Sequence, residues 1–231
     1  MLLETDPDFL DYNSLYIFSP SLYQDEYQLL IHGFKNKLKK EHIIQLINKQ
    51  FILGESDPKF LSEQFSEILE DDEKWLDIEI HFYENGKDVP KPEDINNNRN
   101  KKPFFIFDDC MLGPQSNIEE YFTRGRHSNI NCLYISQSYY KLPKKSIRDN
   151  ANFLMLFQLN KRDLQNIHND LCSQDIEQYD TFKRFANKVW DQKYNFMVID
   201  RFNEDKNWRY RKGFDKPFNE IMGYDLSIIN E

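Results

Sequence analysis

The chain has 231 residues, 39% hydrophobic and 30% charged, with 19 Phe and 13 Tyr; that is enough for one domain with an aromatic-rich core and too much aromatic mass for a disordered chain. A formal net charge of −9 excludes a globally basic nucleic-acid-binding face, so any contact with DNA has to be local. Cys110, Cys132 and Cys172 stand far apart with no C-x-x-C pair, which argues against a disulfide framework or a zinc knuckle and fits a reducing compartment.

Taken in chain order, Met1-Leu2-Leu3 runs directly into Glu4 and Asp6, unlike a signal peptide. No stretch reaches the roughly 20 apolar residues that span a bilayer, so a soluble, intracellular protein without membrane contact is expected. Leu15-Tyr16-Ile17-Phe18 reads as a buried strand that ends at Ser19-Pro20-Ser21. Tyr27, Leu30, Ile31, Phe34 and Leu38 recur at helical spacing and predict an amphipathic helix over 23–40, followed by helices over 41–51 and 58–69. The stretch 84–102 is rich in Asn, Lys, Pro and Asp, with almost nothing to bury, and reads as a flexible polar surface loop.

Short apolar runs then follow at 104–107, 132–135, 153–157 and 196–199, separated by helical stretches, one of them starting at Ser116. Strands that alternate with helices and are apolar on both faces predict an α/β fold, a mainly parallel sheet covered by helices on both sides, as one domain over 1–231. Residues 208–211 alternate aromatic and basic side chains and suit an edge strand with one solvated face.

The chemistry centres on Phe104-Phe105-Ile106-Phe107-Asp108-Asp109, which delivers two carboxylates to the carboxyl end of a buried strand, where open α/β sheets bind ligands. In a nucleotide hydrolase Asp108 would hold Mg²⁺ and Asp109 would position the attacking water; two acids ending a strand in solvent is the plain alternative. The next strand runs into Ser136-Gln137-Ser138, and the Gln137 amide can sense a γ-phosphate or hold a water, or simply bond the local backbone. Arg124 and Arg126 close the helix from Ser116. There they complement the helix dipole, with Gly125 as a left-handed cap, or one of them serves as an arginine finger offered to a neighbouring subunit. Finally, Tyr139, Tyr140, Lys141, Lys144, Lys145 and Arg148 interleave aromatic and basic groups in a way that can track a phosphate backbone or coat a solvated face.

Together, Phe105-Ile106-Phe107-Asp108-Asp109, Thr123-Arg124-Gly125-Arg126-His127, the run Tyr134 to Pro143, and Ile147-Arg148-Asp149-Asn150-Ala151-Asn152 resemble the poxvirus-type genome-packaging ATPases of the HerA/FtsK superfamily. The resemblance continues through Phe157-Gln158-Leu159 to Gly213-Phe214-Asp215, and Ile17 to Ser21 with Gln24 looks like the segment just after the family's phosphate-binding helix. It implies a RecA-like P-loop NTPase that uses ATP and Mg²⁺. It further implies a homo-oligomeric ring that drives double-stranded DNA into a capsid, in contact with portal or capsid proteins. Asp108 is then the Mg²⁺ acid, Asp109 the catalytic acid, Gln137 the sensor, and Arg124 or Arg126 the finger. The setting implied is the cytoplasm or nucleus of an infected or host cell, or the virion.

The departure from the family is the phosphate cradle. No G-x-x-x-x-G-K-[ST] occurs, and the one Gly-Lys pair, Gly86-Lys87, is followed by Asp88. Against the family pattern, the expected deficit is an N-terminal strand, loop and half helix of roughly 30 residues. Two further readings stand beside the motor: a non-hydrolysing ring subunit or DNA-binding interaction protein derived from one, and a metal-dependent nuclease using Asp108 and Asp109, which no further acid at a recognisable spacing supports.

Overall fold

The computed structural model describes residues 12–35, 78–84, 86–95 and 102–226. The helices read over 41–51 and 58–69, and the end of the helix read to Lys40, lie outside them. Two compact units emerge, Met1–Gln137 and Ser138–Glu231.

In the first unit, strands β1 (Ser14–Phe18), β2 (Glu79–Tyr83), β3 (Pro103–Asp108) and β4 (Asn131–Ile135) form a wholly parallel sheet in the order β2-β1-β3-β4. Every residue of β1 is buried, as are the first five of β3, because both faces of a parallel sheet are covered. Strand alternation sends Leu15, Ile17, Phe104 and Ile106 to one face, where Tyr27 and Leu30 of helix α1 (Asp25–Lys35) pack on them. The other face is aromatic. Tyr16 stacks on Phe105 at 4.3 Å, and Tyr121 of helix α2 (Ser116–Arg124) lies 4.4 Å from Phe105 and 5.3 Å from Phe107. Ring pairs of this kind add about 0.5–1.5 kcal/mol each beyond their buried area.

Strand β2 was not foreseen, because Glu79 and His81 interrupt its apolar residues and it lies at the sheet's margin, only partly buried. Part of the stretch read as a polar loop is also packed. Val89 and Ile95 are buried, and the carbonyls of Val89 and Pro90 accept hydrogen bonds from Asn117 Nδ2 and the Tyr121 hydroxyl. Two isolated aliphatic residues in a polar run carry no periodicity, so only tertiary contact reveals them. Gly125, read as a left-handed cap, is right-handed (φ −52°, ψ −34°). The helix tightens there into a further turn over Gly125–Ser128, and the left-handed residue is Asn129 at φ 52°, a type that tolerates that region.

The second unit is an antiparallel sheet, β5 (Phe153–Leu156), β6 (Met197–Asp200), β7 (Tyr210–Lys212) and β8 (Lys216–Pro217), paired in that order. The apolar runs at 153–157 and 196–199 point to the parallel sheet, yet β5 and β6 pair antiparallel, because apolar runs reveal burial but not strand direction. A short turn between β7 and β8, opened by Gly213 at φ 63°, leaves no room for the crossover that parallel pairing requires. Strand β7 pairs on both sides, so it is no edge strand, and Trp208 and Arg209 belong instead to a short helix α5 (Lys206–Arg209) capped by the Asp205 side chain. One sheet face packs against helices α3 (Lys161–Ile167), α4 (Tyr179–Val189) and α6 (Phe218–Met222), burying Leu154, Leu156, Met197, Ile199, Phe182, Phe185 and Phe218 in one core.

Candidate nucleotide site at the switch point of the parallel sheet

In the first unit the chain leaves the carboxyl end of β1 toward β2 and the carboxyl end of β3 toward β4, in opposite directions along the sheet. The crevice between β1 and β3 is therefore a topological switch point, the place where open α/β sheets bind ligands. Asp108 closes β3 there. Its Oδ2 accepts a hydrogen bond from the buried Ser19, the first residue after β1, at 3.2 Å, and another from the Tyr27 hydroxyl of α1. Ser19 Oγ in turn accepts the Ser21 amide at 3.2 Å, so the loop leaving β1 is tied to the acid. Burial, and then the neighbouring Asp108 carboxylate, push the Tyr27 phenol above its ordinary range and keep it a donor.

Asp109 follows in the left-handed region at φ 50°, a conformation that costs most side chains 1–2 kcal/mol and that Asp tolerates better. Its amide donates to the Ile135 carbonyl at 3.3 Å. That bond joins the end of β3 to the end of β4, whose continuation carries the exposed Gln137. The structure thus brings Asp108, Asp109 and the segment bearing Gln137 to one edge of the sheet. Cys110 and Gln115 pin the loop beyond: the Cys110 thiol reaches the Phe18 carbonyl at 3.5 Å, and Gln115 Oε1 accepts the Tyr134 hydroxyl at 3.0 Å.

Arg124 and Arg126 are exposed and lie at the opposite edge. The Gly125 carbonyl accepts the Ile130 amide, one residue before β4 begins. A strand of that length spans about 16 Å, so within one molecule neither guanidinium serves the acid pair; both sit in the last turn of their helical segments, where cations complement the helix dipole.

The residues at Asp108 fit Mg²⁺ in the manner of nucleotide sites, where one or two carboxylates and the substrate phosphates hold the ion. Both hydroxyl donors fall on the same carboxylate oxygen, Oδ2. No group of three acidic, His or Cys side chains among the described residues forms an all-protein metal cage.

In the second unit the basic segment resolves into two classes. Lys141 and Lys145 are exposed. Arg148, read as a DNA contact, is buried: it pairs with Asp170 at 2.8 Å and lies 4.9 Å from the Tyr139 ring. Lys144 reaches the same carboxylate at 3.0 Å while remaining largely exposed. Sequence reading missed Ser19 and Tyr27 as partners of Asp108. Tyr27 had been counted only as part of an apolar helix face, and the signal for Ser19 was its place directly after a strand adjacent to the acid-bearing one.

No protein-family profile matches the sequence, and no curated protein matches it. No helix among the described residues is long and apolar enough to cross a membrane. Among solved structures, the chain is similar to the genome packaging NTPase B204 from Sulfolobus turreted icosahedral virus 2. The complex with ATP-gammaS is 13% identical with a TM-score of 0.38, over 83% of this chain and 93% of that one. The AMP complex is 11% identical with a TM-score of 0.40, over 87% and 96%. The similarity extends to B204, the DNA-packaging ATPase from Sulfolobus Turreted Icosahedral Virus, at 14% identity and a TM-score of 0.36, over 82% and 92%. Its structural neighbours are thus viral genome-packaging NTPases, at a similarity too low to transfer any residue's role.

Proposed function

We propose that this chain is a DNA-packaging-motor ATPase-like protein that couples ATP hydrolysis to translocation of double-stranded DNA into a viral capsid, working as a homo-oligomeric ring against portal or capsid proteins in an infected or host cell. The observation that carries this reading is Asp108, held in the switch-point crevice by Ser19 and Tyr27 with Asp109 beside it. Asp108 would hold a Mg²⁺ ion through its carboxylate, directly or through water, and that ion would supply neutralisation of the charge that develops during phosphoryl transfer. Asp109 positions the attacking water and takes its proton, and Gln137 orients the same water or the γ-phosphate. Arg124 or Arg126 is offered across the ring to the neighbouring subunit's nucleotide, where a guanidinium stabilises transition-state charge.

A second reading is a non-hydrolysing ring subunit or DNA-binding interaction protein. One feature favours it: these 231 residues contain no G-x-x-x-x-G-K-[ST] to cradle the phosphates. ATP hydrolysis measured with Mg²⁺, with and without duplex DNA, separates the two. The motor reading expects DNA-stimulated hydrolysis that Asp109→Asn lowers by roughly 10²- to 10⁴-fold. Duplex binding and ring formation without hydrolysis would support the second reading, and DNA cleavage that needs Mg²⁺ but no ATP would overturn both in favour of a nuclease.

A further inference from the structure

On the second unit, Arg162 lies with its guanidinium carbon 4.8 Å from the centroid of Tyr140, and both side chains are exposed. Among the described residues Arg162 has no acidic partner within ion-pair distance. An arginine stacked on a ring keeps its N–H groups directed outward, and the ring limits the freedom it loses when it meets an anion. We infer that Tyr140 and Arg162, together with Lys141 and Lys145, form the face by which this chain grips the phosphate backbone of duplex DNA, with Arg148, Lys144 and Asp170 as the brace behind it. The inference rests on the DNA-binding reading proposed above.

The brace is extensive. Arg148 pairs with Asp170 and lies 4.9 Å from Tyr139 and 5.9 Å from Tyr140. Lys144 and the Tyr139 hydroxyl reach the same carboxylate, at 3.0 and 3.4 Å. Residues Lys144–Arg148 form one wide turn, in which the amides of Arg148 and Asp149 bond carbonyls five residues back. That turn is closed from outside by Arg201, whose Nη1 donates to the carbonyls of Arg148, Asp149 and Ala151, and by Asn150, which donates to those of Lys145 and Ser146. Lys145 therefore projects from a backbone already held in place, which lowers the ordering cost of binding.

Charge complementarity selects the ligand. Asp170 is offset by its two cations, and Asp163 is buried and bonded to Asn160. Of the acids in these segments only Asp149 is exposed, against Lys141, Lys145, Lys161 and Arg162. On a chain whose net charge is −9, this local positive surface suits a polyanion of repeating phosphates.

The test is a titration of the full chain with two short duplexes of unrelated sequence, followed by fluorescence anisotropy across a salt series. Arg162→Ala is expected to weaken binding to both duplexes by about threefold and to reduce the salt slope by about one, the signature of a lost phosphate contact. Tyr140→Ala should weaken binding similarly, and the double variant should lose little more, because the two side chains act as a unit. Lys183→Ala, an exposed lysine on α4, should change nothing. A wild-type chain that binds duplex while Arg162→Ala and Tyr140→Ala leave affinity and slope unchanged overturns this face alone. A wild-type chain that binds no duplex overturns the DNA reading and this face with it. Tighter binding to a single strand, with Tyr140→Ala the most damaging change, would replace phosphate gripping by base stacking and overturn the duplex assignment.

Discussion

Tyr27 donates its phenolic hydrogen to Asp108 Oδ2 across 81 residues of chain, joining α1 to the end of β3 at the switch point. A hydrogen bond to a charged group is worth about 1.5–3 kcal/mol. Tyr27→Phe is expected to lower unfolding stability by about that much, with Ser19→Ala costing less, as its bond is longer. Urea unfolding at neutral pH measures both; an unchanged midpoint for Tyr27→Phe would show that the hydroxyl contributes nothing to holding the acid.

Asp109 occupies a left-handed conformation at φ 50°, a position where glycine is unstrained. Asp109→Gly is therefore expected to be more stable than Asp109→Ala by about 1 kcal/mol, while neither supplies the acid. The comparison uses thermal unfolding of the two variants side by side. Equal stability would mean that the backbone at this turn relaxes once the carboxylate is gone.

Burial pushes the Cys132 thiol up from 9.0 to about 12 and raises Cys172 as well. Both thiols stay protonated in the folded chain while the unfolded chain ionises near the ordinary value. Their contribution is thus fully present below about pH 9 and is lost progressively as pH rises toward about 12. The urea midpoint should fall as pH rises from about 9 to about 11, and Cys172→Ala should make that fall shallower. A pH-independent midpoint over that window would contradict the burial of these thiols.

Asp175 is buried and accepts hydrogen bonds from Arg209 and from the Tyr210 hydroxyl, with Lys206 at 3.6 Å. Removing one partner of a buried ionic cluster costs about 3–5 kcal/mol. Asp175→Ala is expected at the lower end of that range, because Lys206 and Arg209 retain some access to water. Equilibrium unfolding monitored by tryptophan fluorescence reports it through Trp208 and Trp190, and a loss below about 1 kcal/mol would overturn the structural role.

Particular elements explain how far the sequence could be read. The β1 and β3 strands were legible because continuous apolar runs ending in Ser-Pro or Asp-Asp have few other solutions. The helix from Ser116 was legible from its boundaries. Strand β2 was not, since a partly buried strand with Glu79 and His81 lacks a clean pattern. The acid pair was legible from type and position. Its partners were not, because the 3.2 Å contact from Ser19 to Asp108 joins residues far apart in sequence. Arg148 shows the limit in the other direction: its charge was visible, but its burial against Asp170 and Tyr139 was not.

By itself the sequence determined that this chain folds as alternating apolar strands and helices, and that one strand delivers adjacent carboxylates to its carboxyl end. Both follow from local periodicity and residue type. Tertiary structure alone decided that β5 to β8 pair antiparallel in a sheet of their own, that Asp108 meets Ser19 and Tyr27 at the crevice between β1 and β3, and that Arg124 and Arg126 stand at the far edge. Strand direction, strand order and side-chain partners depend on loop geometry and on packing between distant segments, which a one-dimensional pattern does not carry.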